Sequence, residues 1–422
     1  MMHVHGVRAQ ELSARSVGVA LERLVAVPVD VDKHTAMAMV CDFAGRRLAA
    51  PFSFRQDRAG VAEFVGRVEQ ALPAGAVLVR VGVEACGHYH RPLIASGVLP
   101  ADWQRVELNP AWVRAQRRVN GSARRKTDPI DLLAIADLLI AGRGYEVAVG
   151  DEPLVELAGW VAHRSRRVQT RTGLKNQLLG QVDRCFPGLA DCLTDVLRTK
   201  VGRLVLAEFA DPDRLATLGV ARFRRFAARR DVRVSTAVAE RLVAAARQAL
   251  PPPEAVVARQ VLHADLRLLA DLDAQVAEAE ERIAALIPAT RYGVLSSVPG
   301  WGAARVGGYA AAVGEPTRWT SHAKLYRAAG LDPAQYESAG RRRDGGISRE
   351  GSVELRRALL ALGLGLWQRD TAARAYAARH RERGKPGGII ITALARRANK
   401  IAFAMVRDQT LYDPACWPLT DD

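Results

Sequence analysis

Four carboxylates carry most of the chemical content of this 422-residue sequence: Asp30 after the apolar run Leu24–Val29, Glu84 after Val77–Val83, and Asp128 with Asp131 in Lys126-Thr-Asp-Pro-Ile-Asp131. Acids gathered from such distant positions repel one another and lose hydration, and divalent cations that prefer hard oxygen ligands relieve both penalties. If the four converge, they are enough for two Mg2+ ions about 4 Å apart, one activating an attacking oxygen and the other steadying the leaving oxygen at phosphorus. The chain has 61 Lys plus Arg against 45 Asp plus Glu, a net charge of +16, which points to a polyanion and first of all to nucleic acid. Together these features read as metal-assisted chemistry on phosphodiesters.

The elements that must position these acids are strands and one helix. Leu24–Val31, Thr35–Phe43 and Arg47–Phe54 read as a three-stranded meander, Arg58–Leu72 as a helix, Ala76–Val83 as a buried strand and Gln104–Leu108 as a further one. That order describes an α/β domain of the ribonuclease-H kind, with Asp30 and Glu84 at strand ends, where ligand sites of such sheets gather. Asp128 and Asp131, three apart on a helix starting at Thr127 with Pro129 in its first turn, share one face. An acidic first turn also complements the helix dipole, and Thr127 is a suitable cap, so this pair has a purely structural explanation that Asp30 and Glu84 lack. Asp32, Lys33, His34, His88 and His90 fall on the same rim and are expected outside the ligand set, since no H-x-x-x-H or H-E-x-x-H spacing supports zinc.

Strand signals vanish after Glu152. Leu262, Leu269, Val276 and Ile283 recur every seven residues, with Leu266 and Ile287 on the same stripe and Asp273 and Glu280 interrupting it, as in a coiled-coil seam or an amphipathic helix packed within one domain. Pro299-Gly-Trp-Gly302 before the small-residue stretch Ala303–Val313 is similar to a helix-hairpin-helix turn, in which backbone N–H groups of Gly300 and Gly302 would hold a phosphate; a plain αα-corner is the alternative. Basic residues cluster at Arg105–Lys126, including Arg117, Arg124, Arg125 and Lys126; at Arg164–Lys175; at Arg341, Arg342 and Arg343 with Arg349, Arg356 and Arg357; and at Arg379–Lys385. One such cluster is an ordinary solvated face, whereas four, two of them beside candidate reactive groups, fit tracking of a phosphate backbone. Ser338, just before Arg341–Arg343, is a possible nucleophile whose reaction would need those cations; serines in Gly/Arg loops are otherwise solvated loop residues.

Five scattered cysteines without a C-x-x-C pair exclude a disulfide framework and a zinc finger. With no apolar leader and no run of about 18 uncharged apolar residues, a soluble, cytoplasmic protein is expected.

Val29-Asp-Val-Asp-Lys-His34, Val81-Gly-Val-Glu-Ala-Cys-Gly-His-Tyr89, Lys126–Asp131, Pro299–Gly302 and the block from Ser338 through Gly346–Gly351 to Leu355-Arg356 resemble, in order, the insertion-sequence-one-ten family of DEDD transposases. The resemblance implies a polar leader (1–22), a RuvC-like ribonuclease-H domain (23–150), a helical and coiled-coil connection (151–290), a mainly helical C-terminal transposase domain (291–408) and a tail (409–422). It implies that Asp30, Glu84, Asp128 and Asp131 bind Mg2+ and that Ser338 forms a covalent phosphoserine with DNA. It further implies a bridge RNA as guide and a homo-oligomer, dimer or tetramer, in which the carboxylates of one subunit serve the serine of another, acting at the bacterial nucleoid. Where the family commonly has Ser-Gly, this chain has Ser338-Ala339-Gly340, so Ser348 is the alternative nucleophile. Two other classes fit the residues alone: a RuvC-like nuclease using metal-activated water, and a non-catalytic basic scaffold for nucleic acid.

Overall fold

The computed structural model describes residues 18–95, 97–121, 127–147, 152–338 and 341–417, excepting the side chains of 335–338 and 341–344. The chain forms two compact units, 1–150 and 151–422.

The first unit is built on one mixed sheet. β1 (Leu24–Val31), β2 (Thr35–Asp42) and β3 (Arg47–Arg55) form the antiparallel meander; β4 (Leu78–Glu84) and β5 (Gln104–Leu108) add in parallel, and a two-residue β6 (Tyr145–Glu146) closes the edge antiparallel. The resulting order β3-β2-β1-β4-β5-β6 is compatible with a ribonuclease-H-like domain. β1 and β4 are central and buried on both faces, which explains their near-continuous Val and Ala content. One face packs on α1 (Arg58–Ala71) and α2 (Arg91–Ile94) through Val27, Val81, Phe64 and Leu93, and the other on α3 (Pro110–Val119) and α4 (Asp128–Ile140) through Ala26, Leu108, Val113 and Ile135.

Two residues of β4 seat α4. A Cβ added to Gly82 would stand 2.4 Å from a methyl of Leu139, so the bare glycine leaves the room that this side chain of α4 fills against the strand. Arg80, 5% exposed, donates to the carbonyls of Leu139 and Arg143, both at 3.0 Å, and so satisfies the carbonyl end of α4 from within the sheet.

In the second unit, α5 (Glu152–Cys185) and α9 (Ala255–Leu286) form a long hairpin. Arg164 pairs with Glu280 and Arg171 with Asp273, seven residues apart on each helix and in opposite order, so the helices run antiparallel. The heptad stripe Leu262, Leu269, Val276 and Ile283 is buried inside this unit, and its two acidic interruptions are the residues that meet α5. α6 (Lys200–Glu208), α7 (Pro212–Ala228) and α8 (Thr236–Gln248) share a core with the loop-side halves of the hairpin helices. At their other ends Leu157, Ile283 and Ile287 enter the core of α10 (Ala303–Val313), α11 (His322–Ala328), α12 (Val353–Arg369), α13 (Thr371–Glu382) and α14 (Gly387–Asp408). One core therefore runs across the boundary expected near residue 290. The hairpin β7 (Pro333–Ser338) and β8 (Arg341–Ile347), not foreseen from the sequence, comes between α11 and α12 in the chain.

Among the described residues no helix is long and apolar enough to cross a membrane.

Candidate active site

Strand alternation decides where the first two carboxylates point. On β1, Leu24 and Ala26 face α4 while Val25, Val27 and Val29 face the opposite layer; on β4, Leu78 faces α4 while Val79, Val81 and Val83 do not. The same period turns Asp30 and Glu84 to the α4 side. Val29 is in register with Val83 on the parallel neighbour. Asp30 and Glu84 are thus the next pair, about 5 Å apart strand to strand.

The loop after Glu84 reports on both acids. The Cys86 thiol donates to Val31 O at 3.4 Å, and its pKa is raised by burial first and then by the negative fields of Asp30 and Glu84. The Cys86 N–H donates to Nδ1 of His90 at 3.2 Å, and Nε2 of this buried ring lies 3.2 Å from Glu107 Oε2. Since Nδ1 accepts, a neutral ring carries its proton on Nε2 and donates it to Glu107. From its place on the rim, His90 therefore fixes the turn that follows Glu84.

Asp128 and Asp131 open α4. Asp128 is exposed, whereas Asp131 is 1% exposed and bonds through Oδ1 to Nη1 of Arg117 at 2.8 Å. Thr127 occupies the N-cap position but its hydroxyl makes no capping bond, so the expected cap is absent and the two acids alone complement the dipole. Among the described residues, no three His, Cys, Asp or Glu side chains stand close enough to hold a metal ion. The sheet brings Asp30 and Glu84 together, and α4 carries the other two over the same face without joining them to that pair. As hard oxygen donors, with a negative field at Cys86 that a cation would neutralise, the residues fit Mg2+ in kind.

Ser338 ends β7 in register with Arg341, and Glu337 and Tyr336 pair with Arg342 and Arg343, so the backbone sets the three arginines on the strand opposite the serine. Ser348 stands at the other end of the hairpin. Its hydroxyl donates to Asp332 Oδ1 at 3.1 Å, and Asp332 also accepts from Arg327 Nε at 3.1 Å, which makes the carboxylate a poor base for activating it. Gly302 is the exposed N-cap of α10, while Gly300 is packed against α12. A 3-10 turn, Gly293–Ser297, precedes them where a helix-hairpin-helix would have an α-helix. Arg124, Arg125 and Lys126 lie outside the described residues.

A family model described as a transposase, of the DEDD type in the IS110 group, matches residues 27–187, and one described as the transposase IS116/IS110/IS902 family matches residues 292–378. The chain belongs to the IS110 family of transposases. It is 26% identical over 403 residues, 92% of its length and 96% of the relative's, to the 42 kDa protein of insertion element IS900 from Mycobacterium paratuberculosis. It is 28% identical over 347 residues, 80% of its length and 84% of the relative's, to the 44.8 kDa protein of insertion element IS116 from Streptomyces clavuligerus. As a transposase it acts on DNA. The first matched segment of this IS110-family transposase contains all four carboxylates, and the second contains Gly300, Gly302, Ser338, Arg341–Arg343 and Ser348.

Two parts of the site escaped the sequence. Arg117 could be counted in a basic cluster, but nothing in its spacing identified it as the partner of Asp131. Likewise Arg164 and Arg171, expected to face phosphates, direct their charge to Glu280 and Asp273 inside the hairpin.

Proposed function

We propose that this transposase cleaves and rejoins the DNA strands of its insertion sequence through a phosphoserine intermediate, with Ser338 as nucleophile and Asp30, Glu84, Asp128 and Asp131 as the ligands of Mg2+ in a RuvC-like domain. The observation that carries the reading is the side-by-side placement of Asp30 and Glu84 on one face at the ends of adjacent parallel strands. Bound Mg2+ would supply Lewis-acid polarisation of the phosphodiester. The Ser338 hydroxyl loses its proton as its oxygen bonds to phosphorus, and one bridging P–O bond breaks, its deoxyribose oxygen leaving as a strand-end hydroxyl. Attack by the hydroxyl of another strand reverses these changes and frees the serine, so the phosphodiester is conserved and no nucleotide is hydrolysed. Arg341, Arg342 and Arg343 offset charge that develops at phosphorus.

The excess of basic residues supports simultaneous contact with DNA and a bridge RNA. Carboxylates and serine belong to different compact units, a division suited to a homo-oligomer in which they are shared between subunits. The test is to incubate protein, co-expressed RNA and element-end DNA with Mg2+ and to look for a denaturation-resistant protein–DNA adduct. Wild type should form it and Ser338→Ala should not. Full strand cleavage by Ser338→Ala would replace this reading with metal-activated hydrolysis.

A further inference from the structure

Apart from the strand-end acids and the β7–β8 hairpin, the second unit holds a cavity of about 190 Å3 between α10, the segment that links it to α11, and the last turns of α14. The buried Val313 and Val406 and the rings of Tyr309, Trp319 and Phe403 line it, and the exposed Arg291, Thr317, Thr320 and Arg407 mark its mouth. Two hydrogen bonds fix its walls: Trp319 Nε1 donates to Val313 O at 2.9 Å, and the hydroxyl of Tyr292 donates to Gly314 O at 2.6 Å. Tyr309 differs from both. It is 1% exposed, and its hydroxyl has no hydrogen-bond partner among the described residues. Burial holds this phenol protonated well above its ordinary range, so it is a standing donor in the cavity wall. A cavity of about 150 Å3 takes one benzene-sized ring and drug-sized ligands need roughly 300 Å3 or more, so the space fits a single planar ring system. The surrounding charge selects which one. Residues 291–320 and 387–408, which enclose the cavity, contain six Arg and one Lys against two acids, Glu315 and Asp408. Arg318 lies 5.6 Å from the centroid of the Trp319 ring. Burial, then Lys400 and Arg396, lower the pKa of His322, whose ring stands 6.3 Å from Phe403. Aromatic faces within a basic rim match a base carried on a phosphate chain, and a base still stacked and paired in a duplex cannot enter.

We propose that this cavity receives one unpaired base of the DNA on which the transposase acts, stacked on the aromatic walls and hydrogen-bonded by Tyr309, with the basic rim facing the neighbouring phosphates. The proposal rests on DNA as the substrate and is independent of the serine chemistry. Strand exchange opens a duplex, and a pocket that takes up an extruded base offsets the stacking lost in that opening. Thymine suits the site as a probe, since its carbonyl oxygens accept from a phenol.

The test uses the full chain in EDTA, so that no strand is cut, and two labelled probes followed by fluorescence anisotropy: a short oligo(dT) strand and an abasic strand of equal length. Both carry the same phosphates, so the ratio of their affinities isolates the base. Wild type should bind oligo(dT) about tenfold more tightly than the abasic strand. Thr317→Trp, which blocks the mouth from an exposed position, and Val406→Phe, which fills the cavity from its buried side, should bring that ratio near one without altering abasic binding. Thermal unfolding checks that each variant is folded, and should Val406→Phe not fold, Thr317→Trp carries the test alone. Tyr309→Phe keeps the ring and loses the donor; it should unfold no earlier than wild type and lower the ratio about fivefold. A wild-type ratio near one overturns the proposal, as does a ratio that survives the filling variants. A ratio unchanged by Tyr309→Phe overturns the hydrogen bond assigned to that hydroxyl. An oligo(U) strand bound more tightly than oligo(dT) would make the occupant RNA and overturn the assignment to DNA.

Discussion

Gly300 and Gly365 cross with no room for a side chain on either: a Cβ on Gly300 would lie 2.3 Å from the Gly365 carbonyl oxygen, and one on Gly365 2.7 Å from that of Gly300. Beside this crossing Trp301, 2% exposed, donates from Nε1 to Leu362 O at 2.9 Å, so the Pro299–Gly302 turn is riveted to α12. Gly365→Ala should therefore destabilise the protein by about 1–3 kcal/mol through overpacking, and Gly300→Ala by more, because its φ of +84° adds backbone strain. Urea unfolding measures both. A midpoint for Gly365→Ala equal to that of wild type would mean that the crossing is looser than described.

Arg164 reaches Glu280 Oε1 with both Nε and Nη2, at 2.8 and 2.6 Å, linking α5 to α9 where both side chains are partly exposed. Solvent screening limits such a pair to about 0.5 kcal/mol. Arg164→Glu should lower stability by more than this, since it sets two acids face to face, and Glu280→Arg in the same protein should restore most of the loss. A double-mutant cycle with no coupling would remove this contact from the account of the hairpin.

Cys86 gives a chemical readout of the two strand-end acids. Its raised pKa keeps the sulfur protonated through neutral pH, so the reactive thiolate accumulates only above the ordinary thiol range and alkylation should be slow at pH 8 and climb with pH. A divalent cation between Asp30 and Glu84 would remove part of the upward shift but not the larger part that comes from burial. Mn2+ should accordingly speed alkylation of Cys86 in part, and Asp30→Asn should speed it without metal. Mapping by mass spectrometry separates this site from the exposed Cys416. A Cys86 rate indifferent to Asp30→Asn would contradict the placement of these groups.

What was legible in the sequence follows the range of the interactions concerned. β1 and β4 announced themselves because a central strand buried on both faces is apolar over most of its length, and the stripe Leu262–Ile283 because burial against one partner imposes a seven-residue period. Asp30 and Glu84 are conspicuous as candidates for the same reason, each being an acid at the end of an apolar strand. The β7–β8 hairpin was missed, since Arg341-Arg-Arg-Asp-Gly-Gly has neither alternation nor β-branched residues and its pairing comes from the backbone. Arg117 and Asp131, or Arg171 and Asp273, become pairs only through packing between helices, and no local pattern encodes which arginine meets which acid.

Glu84 is last on β4 and half-buried, with Asp30 beside it and Gly82 two residues earlier admitting α4. Glu84→Gln keeps the shape and removes the charge, so the fold should survive with an unchanged unfolding midpoint. DNA strand transfer with Mg2+ should fall by at least about 100-fold, as for loss of a group that acts directly on a reacting phosphate. Strand transfer at the wild-type rate would favour a role for the acids in structure alone.

Ser338 and Ser348 differ in what their surroundings allow, and paired substitutions separate them. Ser348 is tied to Asp332 by its hydroxyl at 3.1 Å and by its backbone N–H, which donates to Asp332 O at 2.8 Å; Arg327 completes the anchor at the base of the hairpin. Ser348→Ala should lose about 1 kcal/mol of stability, the worth of one hydrogen bond, and keep adduct formation. Ser338 stands at the end of β7 opposite Arg341. Ser338→Ala should leave stability unchanged and abolish the adduct, and Ser338→Cys should form a thiol-linked adduct, slower and sensitive to alkylation. Mixing Ser338→Ala protein with Glu84→Gln protein then tests sharing between subunits, since restored activity requires the serine of one copy to work with the carboxylates of the other. An adduct mapped to Ser348 would reverse the assignment, and the Asp332 contact would then be the activating one.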